Sequence, residues 1–145
     1  MAEFTVSTFI ERPPNEVFDY VTDPANSTKC QSSNQSTKWT SEGPVGVGST
    51  LQSVSRMLGR DMEMDLEITD WDPPNLWGQK GNSGPMKFVN TNRFESQDGG
   101  TLLVQNFQGE VGGFFKVAEG LAIKQLQKMV ETDGKALKTL LEASS

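Results

Sequence analysis

The chain contains no histidine, one cysteine and one tyrosine in 145 residues. Without imidazole there is no Ser–His–Asp triad, no His-ligated zinc and no side chain that ordinarily titrates near neutrality. Proton transfer would have to run on carboxylates, lysine, Tyr20 or the thiol of Cys30. A lone cysteine forms no internal disulfide, which fits a reducing compartment. Positive charge is scarce: 13 Lys and Arg stand against 19 Asp and Glu, for a net charge of −6. No basic cluster offsets this, so the electrostatic footprint that nucleic acid requires is missing. Long apolar runs are missing too. No segment approaches the roughly 20 apolar residues that cross a bilayer. The opening MAEFTVSTFIERPP carries Glu3 and no run of signal-peptide length. The expectation is a cytoplasmic protein with no membrane insertion and no nucleic-acid partner.

What is present is strand periodicity. In Asp61–Pro74 (DMEMDLEITDWDPP), Met62, Met64, Leu66 and Ile68 alternate with Asp61, Glu63, Asp65 and Glu67. Period two with one apolar and one charged face predicts a strand buried on one side and wet on the other. Alternate carboxylates on an open strand project in parallel and do not wrap a cation, so that face is read as solvated and no metal or cofactor is expected.

The same reading extends along the chain. Phe4, Val6 and Thr8 alternate with Thr5, Ser7 and Phe9 in a first strand ending near Ile10. Pro13 and Pro14 suit the first turn of a helix over Pro13–Val21, and Asp23-Pro24 opens a second short helix towards Cys30. Gln31–Lys38 reads as a loop or ragged strand. Strands follow over Thr50–Leu58, Asp61–Trp71, Leu76–Lys80, Met86–Glu95 and Thr101–Gln108, separated by Gly59-Arg60, Pro73-Pro74-Asn75, Gly81–Pro85 and Asp98-Gly99-Gly100. From Phe114 to Glu142 the period becomes 3.6. Leu121, Ala122, Leu126, Met129, Val130, Ala136, Leu137, Leu140 and Leu141 share one side, and Lys124, Lys128, Glu131, Lys135 and Lys138 the other, interrupted only by Gly120 and Gly134. A single domain over residues 1–145 is expected, with a long antiparallel sheet curling around one terminal helix. Such packing leaves a space between sheet and helix.

Several segments resemble the helix-grip superfamily, which includes START lipid-transfer domains, Bet v 1-like allergens and, most similar, bacterial polyketide cyclase/dehydrase-like (SRPBCC) proteins. Ile10-Glu11-Arg12-Pro13-Pro14-Asn15-Glu16-Val17-Phe18 resembles the opening strand and proline-initiated helix, and Asp23-Pro24 the second helix start. Gly43-Pro44-Val45-Gly46-Val47-Gly48 is similar to the glycine turn, and Ile68 through Trp71-Asp72-Pro73-Pro74 to the strand-ending double proline. Gly100-Thr101 resembles the start of the last strand, and Leu137-Lys138 with Glu142 the helix terminus. The resemblance implies an α+β helix-grip fold: about seven antiparallel strands around a long C-terminal helix, with two short helices after the first strand.

Met86, Phe88, Asn90, Asn92 and Phe94 should face inward, since that set carries both phenylalanines of its strand; Leu103, Gln105 and Phe107 follow on the next. Inward amides must satisfy each other, hold water or orient a ligand, because an unpaired buried polar group costs about 1–3 kcal/mol. Methionines adapt to irregular apolar partners. The expected lining is Met62, Met64, Leu66, Met86, Phe88, Asn90, Asn92, Gln105, Phe107, Phe114, Glu119, Leu121, Ala122 and Met129. Glu119 falls on the Leu126 and Leu137 side of the helix, at a cavity rim or ahead of the helix proper. Cys30 reads as inert and Tyr20 as a packing residue.

The leading expectation is binding of a mainly hydrophobic small molecule (lipid, polyketide or isoprenoid-like) between sheet and helix. The first alternative is a cyclase/dehydratase-like enzyme assisted by Asn90, Asn92, Gln105 and Glu119, although no catalytic constellation is identifiable. The second is a chaperone-associated interaction module using the acidic strand face. A homodimer is compatible with the pattern, but no exposed apolar stripe requires one.

Overall fold

Pro13 and Pro14 set the first reversal of the chain. The computed structural model describes residues 2–30, 34–57, 59–81, 86–111 and 119–143, without the side chains at 2, 27, 30, 57, 60, 86, 110, 111 and 119–122. Strand β1 (Ala2–Ile10) leads into α1 (Pro14–Thr22), whose first position is Pro14. Asp23 then accepts a hydrogen bond from Ala25 N–H at 3.0 Å, starting a 3-10 turn (Pro24–Asn26) that continues as the single turn α2 (Ser27–Cys30). The remaining strands are β2 (Asn34–Trp39), β3 (Thr50–Met57), β4 (Arg60–Asp72), β5 (Leu76–Gly81), β6 (Met86–Gln97) and β7 (Gly100–Val111), followed by α3 (Glu119–Ala143). They form one curved antiparallel sheet in the order β1-β7-β6-β5-β4-β3-β2. The α+β helix-grip architecture is therefore present, with seven strands.

Some boundaries differ from the sequence expectation. Asn34–Trp39 is a paired strand whose register shifts between Asn34 and Ser36, so the polar stretch is ragged but ordered into the sheet edge. Strands β6 and β7 run two or more residues past the expected ends, because their ladder continues from Met86↔Val111 to Gln97↔Gly100. Gly81 closes β5 and does not begin a turn: the Phe88 ring lies over it, where any Cβ would collide. Leu58, residues 82–85 and the proposed first turn of the long helix, 114–118, lie outside the described residues.

Helix α3 crosses the β1 end of the sheet. Gly134 is its point of closest approach, where an added Cβ would sit 2.6 Å from Thr8 Oγ1. An apparent blemish in the helix is thus its seat on the sheet. At its C-terminal end Lys138 Nζ donates to Phe9 O at 2.8 Å, Arg12 Nε to Leu141 O at 2.9 Å, and Glu11 N–H to Glu142 at 2.9 Å. Three helix residues depart from their expected side. Lys138 is half-buried because this carbonyl and Glu142 draw it in, while Ala136 and Leu140 are exposed because the seat at Gly134 turns them away from the sheet.

The core is divided. One cluster joins Ile10, Val17, Phe18, Phe94, Leu103, Leu137 and Leu141, drawn from β1, α1, β6, β7 and α3. A second joins Phe4, Val6 and Val130, with Phe107, Ile123 and Leu126 against it. The third joins Leu51, Leu66 and Ile68 with Trp39, Met64, Trp71, Trp77 and Phe88. Every member of this last cluster comes from the sheet.

Candidate functional site

Sheet register assembles the inner surface in rows. Val6, Gln105, Asn92 and Trp77 lie side by side across β1, β7, β6 and β5, and Trp71 continues the row on β4. The next row is Phe4, Phe107, Asn90, Gln79 and Ile68. A third runs Gly109, Phe88, Gly81, Leu66, Leu51 and Trp39, and beyond it Met64, Ser53 and Thr37 line up on β4, β3 and β2. Directly opposite residues on one face of an antiparallel pair are close enough to touch, so these rows are the wall of the interior.

The amides at the centre of this wall form a network. Asn92 is 1% exposed and Asn90 3% exposed. Asn92 Nδ2 donates to Asn90 Oδ1 at 2.8 Å, and Asn90 Nδ2 reaches Asn92 Oδ1 at 3.4 Å and Asn106 O at 3.1 Å. Gln105 Nε2 donates to Asn92 Oδ1 at 3.4 Å from the neighbouring strand. Residues two apart on a strand share a face, which is why β6 can pair its own amides. Both asparagines are committed to each other and to backbone. Gln105, which joins the network, and Gln79 in the next row are half-buried.

The other expected lining residues separate into groups. Leu66 is buried in the third cluster, with Met64 and Phe88 half-buried against it. Met62 is half-buried two residues earlier on β4. Phe107 stacks on Phe4 with centroids 5.1 Å apart, on the α3 side of the interior. Met129 is half-buried on α3. The backbones of Met86, Glu119, Leu121 and Ala122 belong to β6 and α3, but their side chains lie outside the description, and Phe114 lies outside the described residues altogether.

Several wall residues were not singled out from sequence. Trp39, Trp71 and Trp77 are all the tryptophans of the chain, and all three pack on the third cluster. A register shift between Ile68 and Asp70 brings Trp71 to the inner side, which strict alternation does not allow. Asn34, 7% exposed, donates to Thr37 Oγ1 at 2.9 Å and Ser53 Oγ at 3.0 Å, a second polar cluster at the β2 edge. Asn34 Oδ1 and Trp77 Nε1 are buried without a hydrogen-bond partner. The signal for Trp77 was its alternation with Gln79 and Gly81; the polar β2 and β3 carried none.

The outer face is different in kind. Asp61, Glu63 and Asp65 are exposed, Arg56 pairs with Asp61 at 3.8 Å and Lys80 with Glu67 at 3.4 Å. A depression of about 270 Å³ opens here, lined by Thr40, Thr50, Leu51, Asp65, Leu66 and Glu67. It lies on the solvent side of β3 and β4. Among the described residues no three acidic or thiol side chains come together as a metal site would require, and no helix is long and apolar enough to cross a membrane.

Comparison with known families settles the kinship of this fold. The model of one family, described as polyketide cyclase / dehydrase and lipid transport, matches residues 1–142. The chain belongs to that family. Among solved structures it is similar to TTHA0849 from Thermus thermophilus, with a TM-score of 0.84 and 22% identity over 99% of this chain and 100% of that one. It is similar to the di-domain ARO/CYC BexL of the BE-7585A biosynthetic pathway, with a TM-score of 0.78 and 17% identity over 99% of this chain and 50% of that one. It is also similar to Ara h 8.0201, with a TM-score of 0.66 and 17% identity over 94% and 97% of the two chains. No curated protein matches the chain by sequence. At these identities the solved structures attest the fold of this polyketide cyclase/dehydrase and lipid transport family member, and leave its chemistry to its own residues.

Proposed function

We propose that this protein binds a mainly hydrophobic small molecule, of lipid, polyketide or isoprenoid character, between the β2–β6 wall and α3. The observation that carries the reading is the state of the inner wall. Met62, Met64, Gln79, Phe88 and Gln105 point inward by register yet remain half-buried, and no described side chain of α3 joins the third cluster, which Met64 and Phe88 border; Trp77 bridges it to the first cluster, where Leu137 and Leu141 of α3 lie. Inward apolar residues that no described side chain of α3 covers are what a ligand would cover. A few amides among aromatic and methionine side chains match the usual make-up of such sites. The family description, which names both cyclisation and lipid transport, supports the same class of occupant. We read residues 1–145 as one domain acting in the cytoplasm.

Native mass spectrometry of protein purified without delipidation tests this. A co-purifying small molecule, or stabilisation by a lipid or polycyclic aromatic compound, is expected. Ligand-free protein with no thermal shift across such a panel overturns the reading. The cyclase/dehydratase-like alternative rests on the first half of the family description. It would run on Gln105 and Glu119, since Asn90 and Asn92 are occupied by each other. Unchanged turnover of an identified substrate in Gln105→Ala and Glu119→Gln would remove it.

A further inference from the structure

Given that the interior is a ligand site, on which this step rests, we propose that Gly81 determines how broad an occupant it accepts. Without a side chain at this position the Phe88 ring can lie down across β5, and the third row of the wall then admits a wider cross-section. A glycine inside a strand gives up packing of its own and marks a place where another group comes close. Among the described residues, the inward register of the seven strands holds two glycines, Gly81 and Gly109. They are the partners of Phe88 on its two sides, and both are buried.

The ring occupies the first of these gaps. A Cβ added at Gly81 would lie 2.9 Å from Phe88 Cδ1 and 3.1 Å from its Cζ, with Cε1 closer still. A Cβ stands a single bond above the pleated backbone, so a ring at that height lies against the strand and does not stand into the interior. From there it reaches over β5 towards Leu66, the partner of Gly81 on β4, which is how a β6 residue comes to pack on the third cluster. The rows to either side carry side chains where this row has its glycines: Asn90 and Gln79 on one side, Met64 and Ser53 on the other. Phe88 is inward and laid down, yet only half-buried, so space remains above the ring. Any side chain at position 81 would take the recess and lift the ring into that space. Overpacking of this kind is costly, and its cost falls on whichever occupant needs the same volume.

The test is calorimetric titration of the whole chain with two alcohols of different breadth, dodecanol and 1-pyrenemethanol. Both should bind the unaltered chain. Gly81→Ala should weaken 1-pyrenemethanol at least about tenfold and dodecanol less than about threefold. Adding Phe88→Ala to Gly81→Ala should restore the broad probe, because it removes the ring that was lifted. A merely weakened strand would not be rescued in this way. Should Gly81→Ala fail to fold, Phe88→Trp puts an indole too large for the recess at the same place and should show the same selective loss. A folded variant that changes both probes equally, or neither, overturns the proposal while leaving the ligand site intact. So does a double variant that still rejects the broad probe, or an unaltered chain that takes dodecanol alone. If neither probe binds the unaltered chain, the ligand site itself is wrong and the proposal falls with it.

Discussion

At one end of the interior, Phe18 from α1 sits edge-on to Trp71 and to Phe94, each with centroids 5.2 Å apart, and Leu137 and Leu141 of α3 join the same cluster. Across the sheet, Leu51, Leu66 and Ile68 pack with Trp39, Met64, Trp77 and Phe88, and α3 contributes none of its described side chains. Both regions are apolar and both face inward. Among the described residues, the first is closed by α1, the sheet and α3, and the second by the sheet alone. Trp71 and Trp77 border both regions; Phe18 and Phe94 work as core in the first, whereas Phe88 in the second is only half-buried. Hydrophobic burial is proportional to the area removed from water, so only the first region delivers its full contribution to stability in the empty protein.

The contrast makes its largest demand on Phe18→Ala. At 2% exposure in the closed cluster, this truncation should cost about 3–5 kcal/mol, read as a drop in the urea midpoint. Asn92→Ala comes next. It removes the hub that Asn90 and Gln105 share, and leaving a buried amide unpaired costs about 1–3 kcal/mol. Should Asn92→Ala be neutral, water already substitutes for the side chain, and the wall is wetter than its register implies.

Gly134→Ala probes the seat of α3. Its Cβ would meet Thr8 Oγ1 at 2.6 Å. Overpacking of about 1–3 kcal/mol is offset by about 1 kcal/mol of helix propensity. A modest net loss is expected, and Thr8→Ala in the same chain should relieve it in a double-mutant cycle. Met64→Ala, on the β4 wall, should cost less than Phe18→Ala in the ligand-free protein, about 1–2 kcal/mol, since Met64 is only partly buried. If Met64→Ala proves as costly as Phe18→Ala, the two regions are one core and the ligand reading loses its basis.

Glu142→Gln should have the smallest effect. The hydrogen bond from Lys138 and then the one from Glu11 N–H hold its carboxyl below the ordinary glutamate range. A carboxyl depressed in the folded state stabilises above its unfolded pKa and loses that contribution as pH falls through the folded one. Wild type and variant should therefore differ slightly in Tm near neutrality and converge in acid. A difference that persists in acid would mean that the charge is not what holds the C-terminus of α3.

Legibility from sequence followed the strength of alternation. Strands β1, β4, β6 and β7 each carry one clearly apolar face, and their inward residues were readable position by position. In β3 the inward set is Leu51, Ser53 and Ser55 while Val54 points outward, so its pattern runs against its burial. Strand β2 has no apolar face and was visible only as ragged. Trp71 was unreadable for another reason: the register shift after Ile68 carries it across the sheet, and period two holds no information about bulges. The inward asparagines were readable as inward. That they bond each other, Gln105 and the Asn106 carbonyl depends on how neighbouring strands meet.

The chain by itself determined the class of architecture, the sidedness of its long strands, the absence of imidazole chemistry and the family to which it belongs. These follow from local periodicity and composition, which need no knowledge of distant contacts. The tertiary structure decided which strands the described face of α3 packs on, that Gly134 is where it docks, and that tryptophans and a bonded amide network share the inner wall. Those are consequences of register and helix placement, and residues far apart in sequence become neighbours only once the sheet has closed around its helix.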